Sequence, residues 1–587
     1  MARIALAKSH SELSARLPLQ LPLSVILPER SEWRNLFPRR RNSFFAERCL
    51  NSGESELYLN MKSIRIIAAA FSAALVCLSC TSEVGLLVDT LSGTVEGVQI
   101  EEGVKAYLGV PYAQPPVGEL RWKAPQSVQK WDGVKPCKAF GPDPMQPIIY
   151  SDMVFRGAGF SEDCLYLNIW TPAEKQSDSL PVLLYFNGGG LMAGSGSEPR
   201  YDGQAMAAEQ GIICVTANYR EGVFGFFAHS SLSAESPYGG SGNYGFLDQV
   251  AAINWLRENI RFFGGDPDRI TIAGESAGSF SVSLLMASPQ SKDKICGAIL
   301  SSGAELTPYY ASSLQEAEAQ GEQRLQSVGL SSIADARALS ADSLQTLLPP
   351  RGMASAVLDG YFLGEQPDSI YAAGKQARVP LLAGWNSLEG TLRGKTINEV
   401  LPSLQERFGD WTGIILEAYG IKSNKDVVSE PGNNLASDLF TGFPTWKACD
   451  YHAGTSGQNV WRYFFRLPRP LAGKEAVDGK VERAAGAVHS ADIEYAMGNL
   501  SSNRTYCWTE DDYATSRLFM AYYANFCKSG NPNGEALPEW MDLRSEGSPV
   551  LQLGVIDEEG KLSCYSLSDP RRESAYRTLE GFYRSSK

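Results

Sequence analysis

The sequence predicts an α/β fold with a mostly parallel central sheet and helices on both of its faces. Two observations support this prediction. Apolar runs with the length of buried strands recur along the chain, and amphipathic helical patterns separate several of them. Continuous apolar strands that alternate with helices are typical of parallel sheets, because both faces of such a sheet are covered. We therefore expect functional residues at the carboxyl ends of the strands.

The strand-like runs are short and lie between turns or helical segments. In chain order they read PVLLYF, GIICVTA, RITIAG, GAILSS, VPLLAG and VWRYFF. The clearest helical pattern precedes the third run, where apolar residues recur every three or four positions from Asp248 to Phe262. Gly264 follows this pattern, and glycine commonly ends a helix. The segment therefore predicts an amphipathic helix between two strands.

The first 80 residues differ from the rest of the chain. Residues 1–60 carry nine Lys or Arg and six Asp or Glu, although the formal net charge of the protein is -13. Met61, Lys62 and Arg65 then lead into a thirteen-residue apolar run, which is typical of a signal peptide and too short to span a bilayer. We predict that residues 1–60 are a mis-assigned extension, that residues 61–80 are a signal peptide, and that residues 81–587 form one catalytic domain.

The signal-like segment ends in VCLSC, which resembles a bacterial lipoprotein box. On this interpretation the protein is exported and a lipid on Cys80 anchors it in a bacterial envelope. The alternative is plain cleavage near Cys80 and release into the periplasm or the medium.

The composition argues against several classes of function. A net charge of -13 disfavours nucleic acid as a partner, because a phosphate backbone requires clustered Lys and Arg. Cysteine and histidine clusters with zinc spacing are absent from the sequence beyond the predicted signal peptide. We therefore predict no nucleic-acid partner, no metal site and no cofactor.

The first strand-like run leads directly into three glycines, in the stretch LLYFNGGGLMAG. Gly188, Gly190 and Ala193 fit the dinucleotide fingerprint G-x-G-x-x-A, which also requires a helix to begin at once. The next residues, AGSGSEPRYDG, contain further glycines and a proline, and these disfavour a helix. A phosphate-binding P-loop is excluded too, because Ser195 stands where that loop requires lysine.

The third run, RITIAGESAGSF, contains the nucleophile-elbow pattern G-x-S-x-G at Gly274, Ser276 and Gly278. A strand precedes the pattern and an apolar helical stretch follows it, as the elbow requires. The glycines are needed because the serine occupies a strained turn in which neighbouring side chains would collide. The pattern therefore predicts Ser276 as a catalytic nucleophile.

A nucleophilic serine needs a general base, and the chain contains four histidines. His489 follows small residues in GAVHSADIEY, in a loop from which an imidazole can reach the strand ends. His10 lies in the predicted extension, His229 in an aromatic stretch and His452 in a helical pattern. We predict His489 as the base and structural or solvated roles for the others.

The acid that orients the histidine should lie between the serine and the histidine in the chain. Two candidates stand out, Asp359 in VLDGYF and Glu389 in LLAGWNSLEG. Glu389 follows a strand directly and precedes a glycine, which favours it over Asp359 on position alone.

From about Gly93 to its C-terminus the chain resembles the type-B carboxylesterases, the family that contains the cholinesterases. The resemblance rests on YLGVPYAQPPVGELRWKAPQ, EDCLYLNIWTP, GNYGFLDQVAAINWLRENIRFFGGDPDRITIAGESAGS, GWNSLEG, GAVHSADIEY and FCKSGNPNG. It implies an α/β-hydrolase fold, a small-molecule ester as substrate, and a triad of Ser276, His489 and Glu389. A catalytically silent surface-binding protein of the same family is the alternative, and retention of all three residues argues against it.

The resemblance also implies roles for other residues. The backbone amides of Gly189, Gly190 and Ala277 would form the oxyanion hole. Cys137 and Cys164 would form a disulfide, and Arg121 with Glu162 would form a buried ion pair.

Two departures from the family bear on the substrate. Val154 stands where cholinesterases carry the tryptophan that binds a quaternary ammonium group, so an uncharged ester is expected. Asn187 and Leu191 replace the histidine and phenylalanine that commonly flank the glycines. The sequence leaves the oligomeric state open.

Overall fold

The computed structural model describes residues 82–100, 103–350, 352, 354–476, 481–557 and 561–585. All of these residues belong to one structural unit, Cys80–Lys587. The predicted extension over residues 1–60, the predicted signal peptide over residues 61–80 and the predicted lipidation site Cys80 lie outside the described residues.

The described strands, in chain order, are β1 Leu87–Thr90, β2 Gly93–Glu96, β3 Val98–Gln99, β4 Lys105–Pro111, β5 Val134–Pro136, β6 Asp143–Pro144, β7 Phe160–Ser161, β8 Tyr166–Thr171, β9 Leu180–Phe186, β10 Ile213–Ala217, β11 Gly265–Glu275, β12 Gly297–Ser301, β13 Ser312–Ser313, β14 Val357–Leu358, β15 Leu381–Asn386, β16 Val460–Phe465, β17 Val550–Ile556 and β18 Leu562–Leu567.

A central sheet dominates the fold. Its strand order is β18-β17-β16-β15-β12-β11-β9-β10-β8-β4-β3. The strands from β17 to β10 in this order pair in parallel, and antiparallel pairs flank them on both sides. The six apolar runs of the sequence form β9, β10, β11, β12, β15 and β16, which are adjacent in the sheet. The prediction of a mostly parallel sheet is confirmed.

The α-helices of the described chain are Gln204–Gln210, Gly222–Gly225, Ser230–Glu235, Tyr244–Asn259, Ala277–Ala287, Leu314–Ser327, Ile333–Ala338, Ala341–Leu347, Pro367–Ala372, Ile397–Phe408, Thr412–Tyr419, Asn424–Val427, Glu430–Ser437, Phe443–Thr455, Ile493–Met497, Glu510–Ser529 and Pro570–Ser585. A π-helix spans Asp438–Gly442. The helix expected from Asp248 begins earlier, at Tyr244, because its first turn is also buried. Within the part of the chain that the structure covers, no helix has the length and apolarity needed to cross a membrane.

Both faces of the sheet are buried, as the continuous apolar strands require. Along β9, Leu184 and Phe186 pack in a core that includes helices Tyr244–Asn259 and Ala277–Ala287. Leu183 and Tyr185 point to the other face and pack in a core that includes helix Glu510–Ser529. Alternate side chains of one strand therefore fill two separate cores.

The disulfide that the resemblance implied between Cys137 and Cys164 is not formed in the structure. Both cysteines are buried free thiols. The Cys137 thiol is directed to the carbonyl oxygen of Gly109, 3.7 Å from its Sγ atom. Burial raises the pKa of Cys137 to about 12 and the pKa of Cys164 well above its usual value, so both remain neutral thiols. The implied ion pair is present, with Arg121 and Glu162 joined by two bonds of 2.6 Å.

Candidate active site

Ser276 lies in a sharp turn between β11 and helix Ala277–Ala287. Its backbone angles are φ 52° and ψ -123°, a conformation that residues with side chains rarely adopt. A Cβ atom on Gly274 would lie 2.4 Å from the carbonyl carbon of Gly278, and one on Gly278 would lie 2.2 Å from the Phe186 oxygen. Both glycines are therefore required by the close approach of the strand and the helix, as the elbow pattern predicts.

The structure brings Ser276, His489 and Glu389 together. The Ser276 hydroxyl oxygen lies 2.9 Å from Nε2 of His489, and Nδ1 of His489 lies 2.5 Å from Oε2 of Glu389. A neutral imidazole with its proton on Nδ1 donates to the carboxylate and accepts from the hydroxyl. The three side chains come from separate segments. Ser276 follows β11, Glu389 follows β15, and His489 lies in the loop between β16 and helix Ile493–Met497.

The loops that carry Glu389 and His489 are held side by side by the backbone. Glu389 follows β15, and the preceding residue, Leu388, pairs with Val488 in an isolated β-bridge. The bridge places the next residue of each segment, Glu389 and His489, next to each other. Backbone pairing thus explains a contact between residues that are 100 positions apart.

Glu389 is also fixed by hydrogen bonds of its own. Its Oε1 atom accepts from the Asn386 amide at 2.6 Å and from the Ser302 hydroxyl at 2.6 Å. The alternative acid, Asp359, accepts instead from the Asn243 side chain at 2.9 Å and from the amides of the turn that follows it. Asp359 is therefore part of a structural turn, and Glu389 is the carboxylate in contact with the imidazole.

The other histidines lie elsewhere, and His10 is outside the described residues. His229 caps helix Ser230–Glu235, where its ring accepts from the Ser231 amide at 3.1 Å. His452 is buried, 2.8 Å from the Val379 carbonyl oxygen, and burial lowers its pKa to about 4. Both have the structural roles that the sequence predicts.

The glycine loop packs against the nucleophile turn. A Cβ atom on Gly188 would lie 2.7 Å from the Glu275 carbonyl oxygen, and one on Gly189 would lie 1.8 Å from the Ala193 carbonyl oxygen. Gly189 and Gly190 have φ angles of 106° and 69°, which favour glycine. Among the described residues, neither amide has a hydrogen-bond acceptor in the protein.

The amide of Ala277 lies beside the same turn. Ala277 is the first residue of helix Ala277–Ala287, so its N–H group has no acceptor within the helix. Gly189, Gly190 and Ser276 line one cavity. The geometry therefore leaves donor groups next to the Ser276 hydroxyl.

Asn187 holds the glycine loop through a buried cluster that the sequence analysis did not identify. Its Nδ2 atom donates to the Gly188 carbonyl oxygen at 3.0 Å and to Glu221 Oε1 at 3.1 Å. The Tyr219 hydroxyl donates to the Asn187 carbonyl oxygen at 2.8 Å. Burial raises the pKa of Glu221 well above its usual value, which favours the neutral acid. A glutamate at the start of the otherwise apolar stretch EGVFGFF indicates a buried carboxyl group, but it does not identify Asn187 as its partner.

Glu275 is a second buried carboxyl group beside the imidazole. Its Oε1 atom lies 3.4 Å from Nε2 of His489 and has no hydrogen-bond partner. Burial raises the pKa of Glu275 to about 7, against the opposing charge of His489. Burial would lower the pKa of His489, but the nearby charges of Glu275 and Glu389 outweigh it and raise the pKa to about 9.

The cavity above these groups has a volume of about 520 Å³. Its walls are mainly aromatic and methionine side chains, together with Ser276 and His489. The aromatic and methionine side chains include Tyr150, Met153, Met192, Phe280, Tyr309 and Phe440, and the charged residues Asp152, Arg200 and Glu275 also line the cavity. Val154, at the position of the cholinesterase tryptophan, is exposed and next to Met153 in the chain. The cavity thus suits an apolar small molecule.

Comparisons with known proteins agree with this geometry. The chain is 37% identical over 497 residues to the fumonisin B1 esterase of Sphingopyxis macrogoltabida, a match that covers 80% of this chain and 86% of that protein. It is 32% identical over 516 residues to the pyrethroid hydrolase Ces2e of Rattus norvegicus, a match that covers 81% of this chain and 87% of that protein.

Solved structures show the same fold. A PNB esterase matches with a TM-score of 0.70 and 28% identity, covering 84% of this chain and 99% of its own. A carboxylesterase of Geobacillus stearothermophilus matches with a TM-score of 0.68 and 29% identity, covering 84% of this chain and 100% of its own. The model of the carboxylesterase family matches residues 84–563. The chain therefore belongs to the carboxylesterase family, has the α/β-hydrolase fold, and is a carboxylic ester hydrolase.

Proposed function

We propose that the protein hydrolyses uncharged esters through an acyl-enzyme intermediate on Ser276. The observation that supports this most directly is the continuous contact from the Ser276 hydroxyl through His489 to Glu389, at 2.9 Å and 2.5 Å. In the first step Ser276 Oγ attacks the ester carbonyl carbon while Nε2 of His489 takes its proton. The C–O bond to the alcohol then breaks, and His489 returns the proton to the departing oxygen.

In the second step water attacks the acyl-enzyme. His489 takes a proton from the water, the bond to Ser276 Oγ breaks, and the serine regains its proton as the acid leaves. Glu389 keeps the Nδ1 proton of the imidazole in place and stabilises the imidazolium that forms in each step. Its two other donors, Asn386 and Ser302, hold its carboxylate in that orientation.

The amides of Gly189, Gly190 and Ala277 would stabilise the oxyanion in both steps. They adjoin Ser276, and the two glycine amides have no competing protein acceptor in the described chain. Removal of one such donor typically costs about 2.7–4 kcal/mol of transition-state stabilisation. The mainly apolar cavity favours an ester without charge on either side of the bond.

Labelling with a fluorophosphonate probe tests the nucleophile. The wild-type protein should be labelled and should hydrolyse a p-nitrophenyl ester without added cofactor, and Ser276→Ala should lose both properties. Ser490→Ala is the matched control, because Ser490 also lines the cavity and its hydroxyl has no place in the mechanism. Labelling that persists in Ser276→Ala would assign the nucleophile elsewhere.

We also propose export through residues 61–80 and lipid attachment at Cys80, on the basis of the sequence pattern alone. Labelled palmitate should be incorporated into the wild-type protein expressed in a bacterium and not into Cys80→Ser. A mature product that retains residues before Met61 would contradict the predicted start of the chain.

A further inference from the structure

Exposed apolar side chains adjoin the opening of the catalytic cavity. Tyr150 and Met153 line the cavity, and the residues that flank them in the chain are Ile148, Ile149 and Val154. Ile148 is 80% exposed, Val154 is 58% exposed, and Ile149 is also exposed. One short segment therefore contributes both to the wall of the cavity and to the apolar surface outside it.

This segment lies directly over the glycine loop. A Cβ atom built on Gly190 would lie 3.3 Å from the Tyr150 hydroxyl oxygen, and one built on Gly189 would lie 2.9 Å from the terminal methyl of Met153. The exposed residues that flank Tyr150 and Met153 in the chain thus belong to a segment that contacts the glycine loop.

Two further exposed apolar residues come from other parts of the chain. Phe440 lines the cavity, and its ring centroid is 5.0 Å from that of His489. Val488 precedes His489 directly, and both Phe440 and Val488 are exposed. We call Ile148, Ile149, Val154, Phe440 and Val488 the apolar rim. Clustered exposed apolar side chains on a soluble domain mark an interaction surface, whereas single ones do not.

We propose that the apolar rim docks the enzyme on the surface of aggregated, uncharged, water-insoluble esters, which are therefore its substrates. This inference rests on the proposed function for the chemical step. The position of the rim identifies the occupant. A second copy of the chain on the rim would obstruct the entrance to the cavity, whereas an ester aggregate presents the substrate at that entrance.

The net charge of the protein and the apolar wall inside the opening both favour an uncharged ester aggregate as the occupant. The protein has a formal net charge of -13, so an anionic surface would be repelled. Asp152, within the rim segment, is exposed but forms an ion pair with Arg200 at 3.2 Å. Inside the opening the wall continues with Met153, Phe280 and Tyr309. An apolar chain can therefore pass from the aggregate into the cavity along these side chains, beside the ion pair of Asp152 and Arg200 that also lines the cavity.

Docking can be measured without catalysis. Ser276→Ala protein should float with droplets of triolein coated with phosphatidylcholine. Adding Ile148→Asp to that protein should weaken droplet binding about tenfold, because a carboxylate replaces an isoleucine that would be buried on docking. Val428→Asp is the matched control, because Val428 is 56% exposed and lies outside the rim. Equal flotation of the rim variant and the control would overturn the proposal.

Activity supplies the second measurement. With Ser276 intact, the rate on glyceryl tributyrate should rise sharply once the ester exceeds its solubility limit, and Ile148→Asp and Val154→Asp should abolish that rise. Both variants should retain the wild-type rate on dissolved p-nitrophenyl acetate. A wild-type rate that shows no rise, or a rim variant that changes only the oligomeric state in sedimentation, would overturn the proposal. If the wild-type protein did not hydrolyse dissolved p-nitrophenyl acetate, the proposed function itself would be contradicted.

Discussion

The buried contact between Glu221 and Asn187 leads to a sharp prediction about the glycine loop. Glu221 is buried, and its raised pKa favours the neutral acid. One acceptor atom on each residue, Asn187 Oδ1 and Glu221 Oε2, has no partner in the described structure. A neutral carboxyl group has a proton that it can donate within this pair. We therefore expect Glu221→Gln, a neutral replacement of the same shape, to preserve the loop, and Glu221→Leu to disturb it.

The magnitude follows from the bonds that are lost. In Glu221→Leu the Asn187 side chain keeps its bond to the Gly188 carbonyl oxygen at 3.0 Å and loses the acceptor at 3.1 Å, so its second N–H group is left with only the long contact to the Tyr219 hydroxyl at 3.4 Å. A buried polar group left without a partner costs about 1–3 kcal/mol. Asn187 leads directly into the glycines that hold the proposed oxyanion donors. We therefore expect kcat to fall about 5- to 150-fold in Glu221→Leu.

The assay compares kcat and KM of both variants on a soluble p-nitrophenyl ester, together with thermal unfolding. The kcat of Glu221→Gln should stay within about twofold of the wild-type value, because glutamine is neutral and has the same shape. A twofold change corresponds to well below 1 kcal/mol. Glu221→Leu should lower kcat while KM changes little, because the loss appears where the oxyanion develops. The reasoning is refuted if the glutamine variant loses as much activity as the leucine variant, which would mean that a negative charge is required. An unchanged kcat in Glu221→Leu would show that the contact does not hold the loop.

Two further predictions concern the base and the oxyanion hole. Because His489 must be neutral to accept the serine proton and its pKa is raised to about 9, kcat/KM should increase with pH up to about 9. Glu275→Gln removes the charge that raises this pKa most and should move the increase to lower pH; an unchanged pH profile would contradict that assignment. Gly189→Ala places a Cβ atom 1.8 Å from the Ala193 carbonyl oxygen, so the loop must move, and kcat should fall about 10²- to 10³-fold. Gly211→Ala is the control, because Gly211 has a φ angle of 65° and an added Cβ atom would meet no atom within 4 Å, so this variant has backbone strain alone. Equal losses of kcat in both variants would show that strain, and not displacement of the amide donor, lowers the rate.

The central strands could be predicted from the sequence because they are buried on both faces. Runs such as PVLLYF are continuously apolar, and β9 is buried at every position after Leu180. The antiparallel edges were not predicted. β18 alternates between partly buried and exposed residues, and β3 has only two residues, so neither differs clearly in pattern from a loop.

The contacts among Ser276, His489 and Glu389 could be predicted because each residue occupies a local pattern that the proposed chemistry demands. The contact between Asn187 and Glu221 could not, because it joins two loops that are 34 residues apart, and no local pattern encodes such a pairing. The same limit applies to Cys137 and Cys164. The family resemblance implied a disulfide between them, but a matched position does not determine whether two thiols meet, and the structure turns the Cys137 thiol toward a backbone carbonyl.

The two carboxyl groups beside His489 differ in their own partners, and this difference separates their roles. Glu389 has two donors besides the imidazole, so its carboxylate is held in one orientation and stays an acceptor for Nδ1. Glu275 Oε1 has no donor in the described structure and lies 3.4 Å from Nε2, the nitrogen that exchanges the proton with Ser276. A group without fixed partners cannot orient the ring, but its charge stabilises the imidazolium as it forms. Glu389→Gln should therefore impair the orientation of the imidazole, whereas Glu275→Gln should act mainly on its pKa.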